Sequence, residues 1–175
     1  MKRKIDALKI AYQTEIDGFE FYKKSAKNCK NRLGRVIFDS LAKEEQNHIK
    51  RIKKIWDSLE KGKSWGEAPL PDKIAKYMPV NFETIFKKAE KKIKKNEEVD
   101  SDDTKAIKLA MKLETDGYKF YEKQEKKADS EYEKKFYQQL CSEESEHYRI
   151  LEETYEYLTN PSDWFSKKER PIYEG

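Results

Sequence analysis

The chain is poor in the residues that interrupt helices. Glycine occurs 6 times and proline 5 times in 175 residues, a scarcity that suits long uninterrupted helices. Pro69, Pro71 and Pro79 fall together in one stretch. The two cysteines, Cys29 and Cys141, are too few for a Cys₄ metal site or a disulfide framework, so both are expected as reduced thiols. There is no run of about 18 apolar residues to cross a bilayer. Nor does either sign of charge dominate: 38 basic and 34 acidic side chains are mixed along the chain, so nothing directs it to nucleic acid. Lys-rich KKAEKKIKK (87–95) is interleaved with Glu and reads as a solvated helix face. The N-terminus carries Lys and Arg but no apolar signal segment, which makes the cytoplasm the expected location. Aromatic residues, by contrast, are plentiful at 13%, and they can build a core.

The chain repeats itself. An offset of 99 residues lays ALKIAYQTEIDGFEFYKKSAK (7–27) over AIKLAMKLETDGYKFYEKQEK (106–126) without a gap. The same offset lays SLAKEEQNHIKRI (40–52) over QLCSEESEHYRIL (139–151). Glu15, Gly18, Phe21, Tyr22, Glu45 and His48 thereby coincide with Glu114, Gly117, Phe120, Tyr121, Glu144 and His147.

Each half reads as two helices. Leu8, Tyr12, Glu15, Phe19 and Tyr22 recur every three or four residues, as one stripe of an α-helix does. Residues 28–31 interrupt it, and Leu41, Glu45, His48, Ile52, Ile55 and Leu59 form the next stripe, ending near Gly62. Ile107, Met111, Glu114, Tyr118 and Tyr121 open the second half, with Ser101, Asp102 and Asp103 as possible N-caps. Leu140, Glu144, His147, Leu151 and Leu158 close it before Asn160-Pro161. Four helices near 25 residues are each roughly 38 Å long. Short connections within each half make antiparallel neighbours, so the expected fold is all-α: an antiparallel four-helix bundle over residues 1–159. Residues 63–103 are too long for a bare loop and would cross the length of the bundle. Within them, Phe82, Ile85, Phe86, Ala89 and Ile93 suggest a short extra helix. The tail, 160–175, carries Trp164, Phe165 and Ile172 and is expected to pack on the bundle.

Glu15, Glu45, Glu114 and Glu144 sit inside apolar stripes. Burying an ionised carboxylate without a partner costs several kcal/mol, and four together also repel. The Lys and Arg side chains fall on the opposite faces, and protonation would require large pKa shifts. Two divalent cations would balance four carboxylates, with two neutral imidazoles completing the sites. Glu45-x-x-His48 and Glu144-x-x-His147 place each Glu and His on one helical face. These are the only two histidines in the chain.

The two E-x₂₉-E-x-x-H sets, each with FEFY or YKFY after its first Glu, resemble the ferritin-like di-iron carboxylate superfamily and, within it, the bundle domain of rubrerythrins. The likeness covers most of residues 5–159, and di-iron bundles of this kind draw one Glu from each of two helices and a Glu-x-x-His from each of the others. It implies metal ligands Glu15, Glu45, His48, Glu114, Glu144 and His147. It also implies two iron ions, with manganese or a mixed pair as variants, and redox chemistry with peroxide or dioxygen. An external electron donor such as a rubredoxin, and a homodimer, are further expectations. Tyr22 and Tyr121, on the ligand stripes, are candidates to hydrogen-bond a ligand or donate an electron, or else to serve as core aromatics. The chain departs from the pattern twice. No Cys follows Cys141, so a four-cysteine rubredoxin domain is not expected. Gly117 also stands where rubrerythrins usually carry a second Glu on the third helix. The other readings are an iron-binding or ferroxidase storage protein and a bundle that metals merely staple.

Overall fold

A computed structural model describes residues 2–67, 101–162 and 164. Among these, four helices and no strands occur: α1 (Lys2–Asn28), α2 (Arg32–Glu60), α3 (Ser101–Glu125) and α4 (Glu131–Thr159). They form the expected all-α four-helix bundle. The expected short helix carrying Phe82, Ile85, Phe86, Ala89 and Ile93, and Phe165 and Ile172 of the tail, lie outside the described residues. No described helix is long and apolar enough to cross a membrane.

Three residues separate α1 from α2, so the chain turns back at once and the two helices pack along their length. Asn31 caps α2, its side-chain oxygen accepting from the backbone N–H groups of Leu33 (2.8 Å) and Gly34 (3.1 Å). Asp103 does not cap its own helix. It lies in the first turn of α3, and its carboxylate accepts from the N–H of Lys30 and of Asn31, tying the α1–α2 turn to the other hairpin. At the far end Gly62, at φ +78°, stops α2 by the left-handed turn that favours glycine. Ser130 caps α4 through the Glu133 N–H. Lys4 donates to Glu133 at 2.7 Å, joining the start of α1 to the start of α4.

The hairpins meet through α1 against α3 and α2 against α4. Tyr22 approaches Glu114 while Tyr121 approaches Glu15, so α1 and α3 run antiparallel. The same crossing of numbers holds for α2 and α4, where His48 faces Glu144 and His147 faces Glu45. The sequence repeat is thus a spatial two-fold.

Two apolar clusters fill the bundle. One contains Leu33, Ile37, Phe38, Leu41, Ile107, Ile150, Leu151 and Leu158. The other contains Leu8, Ile52, Ile55, Leu59, Phe136, Tyr137 and Leu140. Each fully buried aliphatic side chain contributes about 1.5–3 kcal/mol relative to exposure. Trp65 packs into the second cluster and Trp164 into the first, both 4% exposed. They too are 99 residues apart, so the repeat extends to one tryptophan beyond each hairpin. Cys29 and Cys141 are buried free thiols. Burial pushes them up to about 12 and about 11, which leaves them protonated and inert.

Candidate metal centre

Four glutamates and two histidines occupy the middle of the bundle. Glu15 and Glu114 come from α1 and α3; the pairs Glu45/His48 and Glu144/His147 come from α2 and α4. All six are at most 4% exposed, and His48 is fully enclosed. Such burial follows from the stripes: each of these residues stands one turn from an apolar neighbour that faces the core.

The residues gather into two overlapping groups. Glu15, Glu45, His48 and Glu144 offer one ligand atom each, all within 4.8 Å of one another. Glu45, Glu114, Glu144 and His147 do the same. Glu45 and Glu144 therefore belong to both. On both histidines Nδ1 is the atom that faces these glutamates. On His48 it lies 2.9 Å from Glu15, 3.2 Å from Glu45 and 3.5 Å from Glu144. On His147 it lies 3.4 Å from both Glu45 and Glu114. The two rings stack with centroids 5.5 Å apart and planes 15° from parallel.

The tyrosines reach across between hairpins. The Tyr22 hydroxyl donates to Glu114 Oε1, and the Tyr121 hydroxyl donates to Glu15 Oε1. Both phenols are held well above their ordinary pKa, first by burial and then by the adjacent carboxylates, so they remain neutral donors. Each ties down one oxygen of its glutamate. On Glu15 the other oxygen, Oε2, turns to His48 at 2.9 Å. On Glu114 the other oxygen is buried and makes no hydrogen bond.

The electrostatics show what enclosing these acids entails. Burial raises Glu15 to about 8, and the neighbouring Glu45 adds to the rise. Glu144 is likewise pushed well above the carboxylate range, by burial and then by Glu114. Burial opposes charge on Glu45 as well, yet the hydrogen bond with Glu15 and the two imidazoles outweigh it and hold Glu45 well below its ordinary value. For the histidines burial opposes protonation, but Glu15 and Glu45 raise His48, and Glu114 and Glu45 lift His147 to about 10. The cluster thus balances its charge with protons on some members.

The donor set fits divalent cations. Carboxylate oxygen and imidazole nitrogen suit iron, manganese or zinc. Moreover, Glu114 Oε2, Glu144 Oε1 and His147 Nδ1 are buried without a hydrogen bond, which a bound cation would remedy.

A cavity of about 420 Å³ leads to the four glutamates between α1 and α3, passing Gly18, Phe21, Gly117 and Phe120. A second, of about 390 Å³, reaches Glu114 and Glu144 past Thr115, Tyr118, Ser145 and Tyr148. The glycines differ in what they permit. A Cβ on Gly18 would sit 3.7 Å from Glu45 Cγ, an ordinary contact, whereas one on Gly117 would meet Glu144 Oε2 at 3.3 Å. Gly18→Ala is therefore expected to raise stability by about 0.5–1 kcal/mol, the usual helix gain. Gly117→Ala should forfeit part of that gain and weaken cation binding by about tenfold, by displacing a carboxylate. Melting curves and Co²⁺ titrations of both variants decide it; equal behaviour would contradict the distinction.

Sequence reasoning did not single out Glu143 and Arg51. Arg51 pairs with Glu143 through both guanidinium nitrogens, one bond being 3.0 Å. Glu143 Oε2 also lies 3.1 Å from His48 Nε2. Although partly buried, Glu143 is held down to about 2 by His48 and Arg51. The signal available was the repeated doublet Glu44-Glu45 and Glu143-Glu144.

The sequence model of the family described as Rubrerythrin matches residues 6–155, and again residues 105–173. A solved structure of a hypothetical protein from Pyrococcus furiosus is similar, with 28% identity and a TM-score of 0.64 over 89% of this chain and 90% of that one. No curated protein matches.

Proposed function

This chain belongs to the rubrerythrin family, and from that premise we propose that it holds two iron ions and reduces peroxide or dioxygen with electrons from an external carrier. One observation carries the reading: two four-ligand groups share Glu45 and Glu144. In this proposal Glu45 and Glu144 would be shared between the two ions, Glu15 and Glu114 would each serve one, and His48 and His147 would each add an imidazole nitrogen. Manganese in one or both positions would use the same ligands. Two ferrous ions, when bound, supply two electrons, enough to take peroxide to water.

The chain's own residues have three tasks. Tyr22 and Tyr121 orient Glu114 and Glu15 by occupying one oxygen of each, and their phenolic protons lie beside the site. Gly18 and Gly117 keep the α1/α3 cavity open to a small oxidant. The apolar clusters on both sides exclude bulk water from the rest of the centre. With Gly117 in place of a second third-helix carboxylate, the site relies on six ligands.

Anaerobically Fe²⁺-loaded protein, mixed with hydrogen peroxide or air-saturated buffer in a stopped-flow cell, tests the proposal. At least one oxidant should be consumed tenfold or more faster than by the same concentration of free Fe²⁺. Equal rates for both oxidants would remove the redox reading and leave only cation binding.

A further inference from the structure

Charge of one sign lines the cavity of about 420 Å³ between α1 and α3. Its acids are Glu15, Asp17, Glu45, Glu114, Asp116 and Glu144, and no Lys or Arg lines it. The whole chain has the opposite bias, with 38 basic side chains against 34 acidic ones. Four of these acids are the proposed ligands; Asp17 and Asp116 are not. Each follows a ligand, Glu15 or Glu114, by two residues, and residues so spaced do not share a helical face. Both are exposed, so they stand at the mouth of the cavity while the buried ligands lie at its floor. They are 99 residues apart, one on each wall.

Their neighbours leave that charge largely in place. Asp17 accepts from the neutral amide of Gln13 at 2.8 Å. Lys112 lies 3.9 Å from Asp116, but both side chains are more than half exposed, so the pair is weak. At the floor, Glu114 and Glu144 each have a buried oxygen without a hydrogen bond, which is where a cation would find partners. Between mouth and floor the walls are apolar, with Phe21, Leu113 and Phe120. The cavity of about 390 Å³ differs: beyond Glu114 and Glu144 only Thr115, Tyr118, Ser145 and Tyr148 line it, so its mouth carries no acid of its own.

We infer that Asp17 and Asp116 form the entrance through which divalent cations reach the buried glutamates. They draw the ion in and do not ligate it at its final position. The inference rests on the di-metal reading above. A cleft lined by one sign of charge between low-dielectric walls concentrates counter-ions and raises their rate of arrival about 10–1,000-fold, an effect that salt screens. Neutral peroxide and dioxygen can use the same opening, but only a cation gains from its charge.

The experiment mixes the full metal-free chain with Co²⁺ at pH 7 in a stopped-flow cell and follows the absorbance of the bound ion, at about 0.01 M and about 0.15 M ionic strength. Dissociation into excess chelator and an equilibrium competition titration complete it. Asp17→Asn combined with Asp116→Asn should slow association about tenfold at low salt and flatten its salt dependence. Dissociation should slow by a similar factor, leaving Kd within about threefold, because an entrance changes both rates and a ligand changes the equilibrium. Asp6→Asn combined with Glu152→Gln removes two exposed acids that line neither cavity and should behave as the parent. Three results would each overturn the inference: unchanged association in the Asp17/Asp116 variant, which would send cations through another opening; equal slowing in the Asp6/Glu152 variant, which would make net charge the cause; or a weakened Kd at unchanged association. Failure of the parent protein to bind Co²⁺ at all would instead overturn the di-metal reading beneath it.

Discussion

Metal-free protein titrated with Fe²⁺ at pH 7 under anaerobic conditions is expected to release protons, about four per chain at most. They come from Glu15, Glu144, His48 and His147, each of which is held above its ordinary pKa in the buried cluster. Metal ligands must be deprotonated, so each ion displaces what the cluster carried. The count follows from calorimetry in two buffers of different ionisation enthalpy. Fewer than one proton per chain would mean that the cluster is already deprotonated before metal arrives.

The same proton-holding groups fix the pH dependence of the metal-free fold. Glu15 titrates near 4.5 when unfolded and about 8 when folded, so the folded state binds more protons between those values. His147 does the same between 6.5 and about 10. Stability falls with pH wherever the native state holds the extra protons. The metal-free protein should therefore lose stability steadily from about pH 5 to pH 10. A tenfold difference in proton affinity between the folded and unfolded chain is worth about 1.4 kcal/mol. A chain of this size moves by roughly 2–4 °C per kcal/mol, so a fall of about 5 °C or more in Tm between pH 6 and pH 9 is expected. The metal-loaded protein, with its ligands already deprotonated, should not show this fall.

How much of this could be read from the residues depends on the range of the interaction. Glu45 and His48 share a face because three residues make nearly one helical turn, which is local geometry. The repeat then supplies the second pair, and the burial of charge within apolar stripes supplies the reason for a cation. Which residues cross the bundle is not legible. Tyr22 visibly shares a stripe with Glu15, yet its hydroxyl goes to Glu114 on the other hairpin. Only antiparallel packing of α1 on α3 makes that pairing. Arg51 reads as one more cation among the lysines of α2, because nothing local shows that Glu143 waits opposite. Asp103 reads as a cap for α3, but tertiary contact with the α1–α2 turn claims its carboxylate. Trp65 and Trp164 keep the offset of 99, though they stand outside the helical stripes that reveal the repeat.

Replacing a shared carboxylate should cost more than replacing a capping one, although each variant removes one carboxyl group. Glu45→Ala and Glu144→Ala are expected to bind less than about half an ion per chain, whereas Glu15→Ala and Glu114→Ala should each retain about one. Glu45 and Glu144 stand in both ligand groups, but Glu15 stands in the first alone and Glu114 in the second alone. If the cluster acted only as a pool of negative charge, all four variants would lose cations alike. Elemental analysis of anaerobically loaded, desalted protein separates the two cases. Thermal stability offers a second readout. Free cation at a thousandfold over Kd stabilises by about 4 kcal/mol per site, or roughly 8–16 °C in a chain of this size. Glu45→Ala should abolish the increments of both sites, whereas Glu15→Ala should keep about one site's increment, half of the total. Equal losses across the four variants would show that the overlap of the two groups does not translate into shared ligation, and the bridging roles would have to be withdrawn.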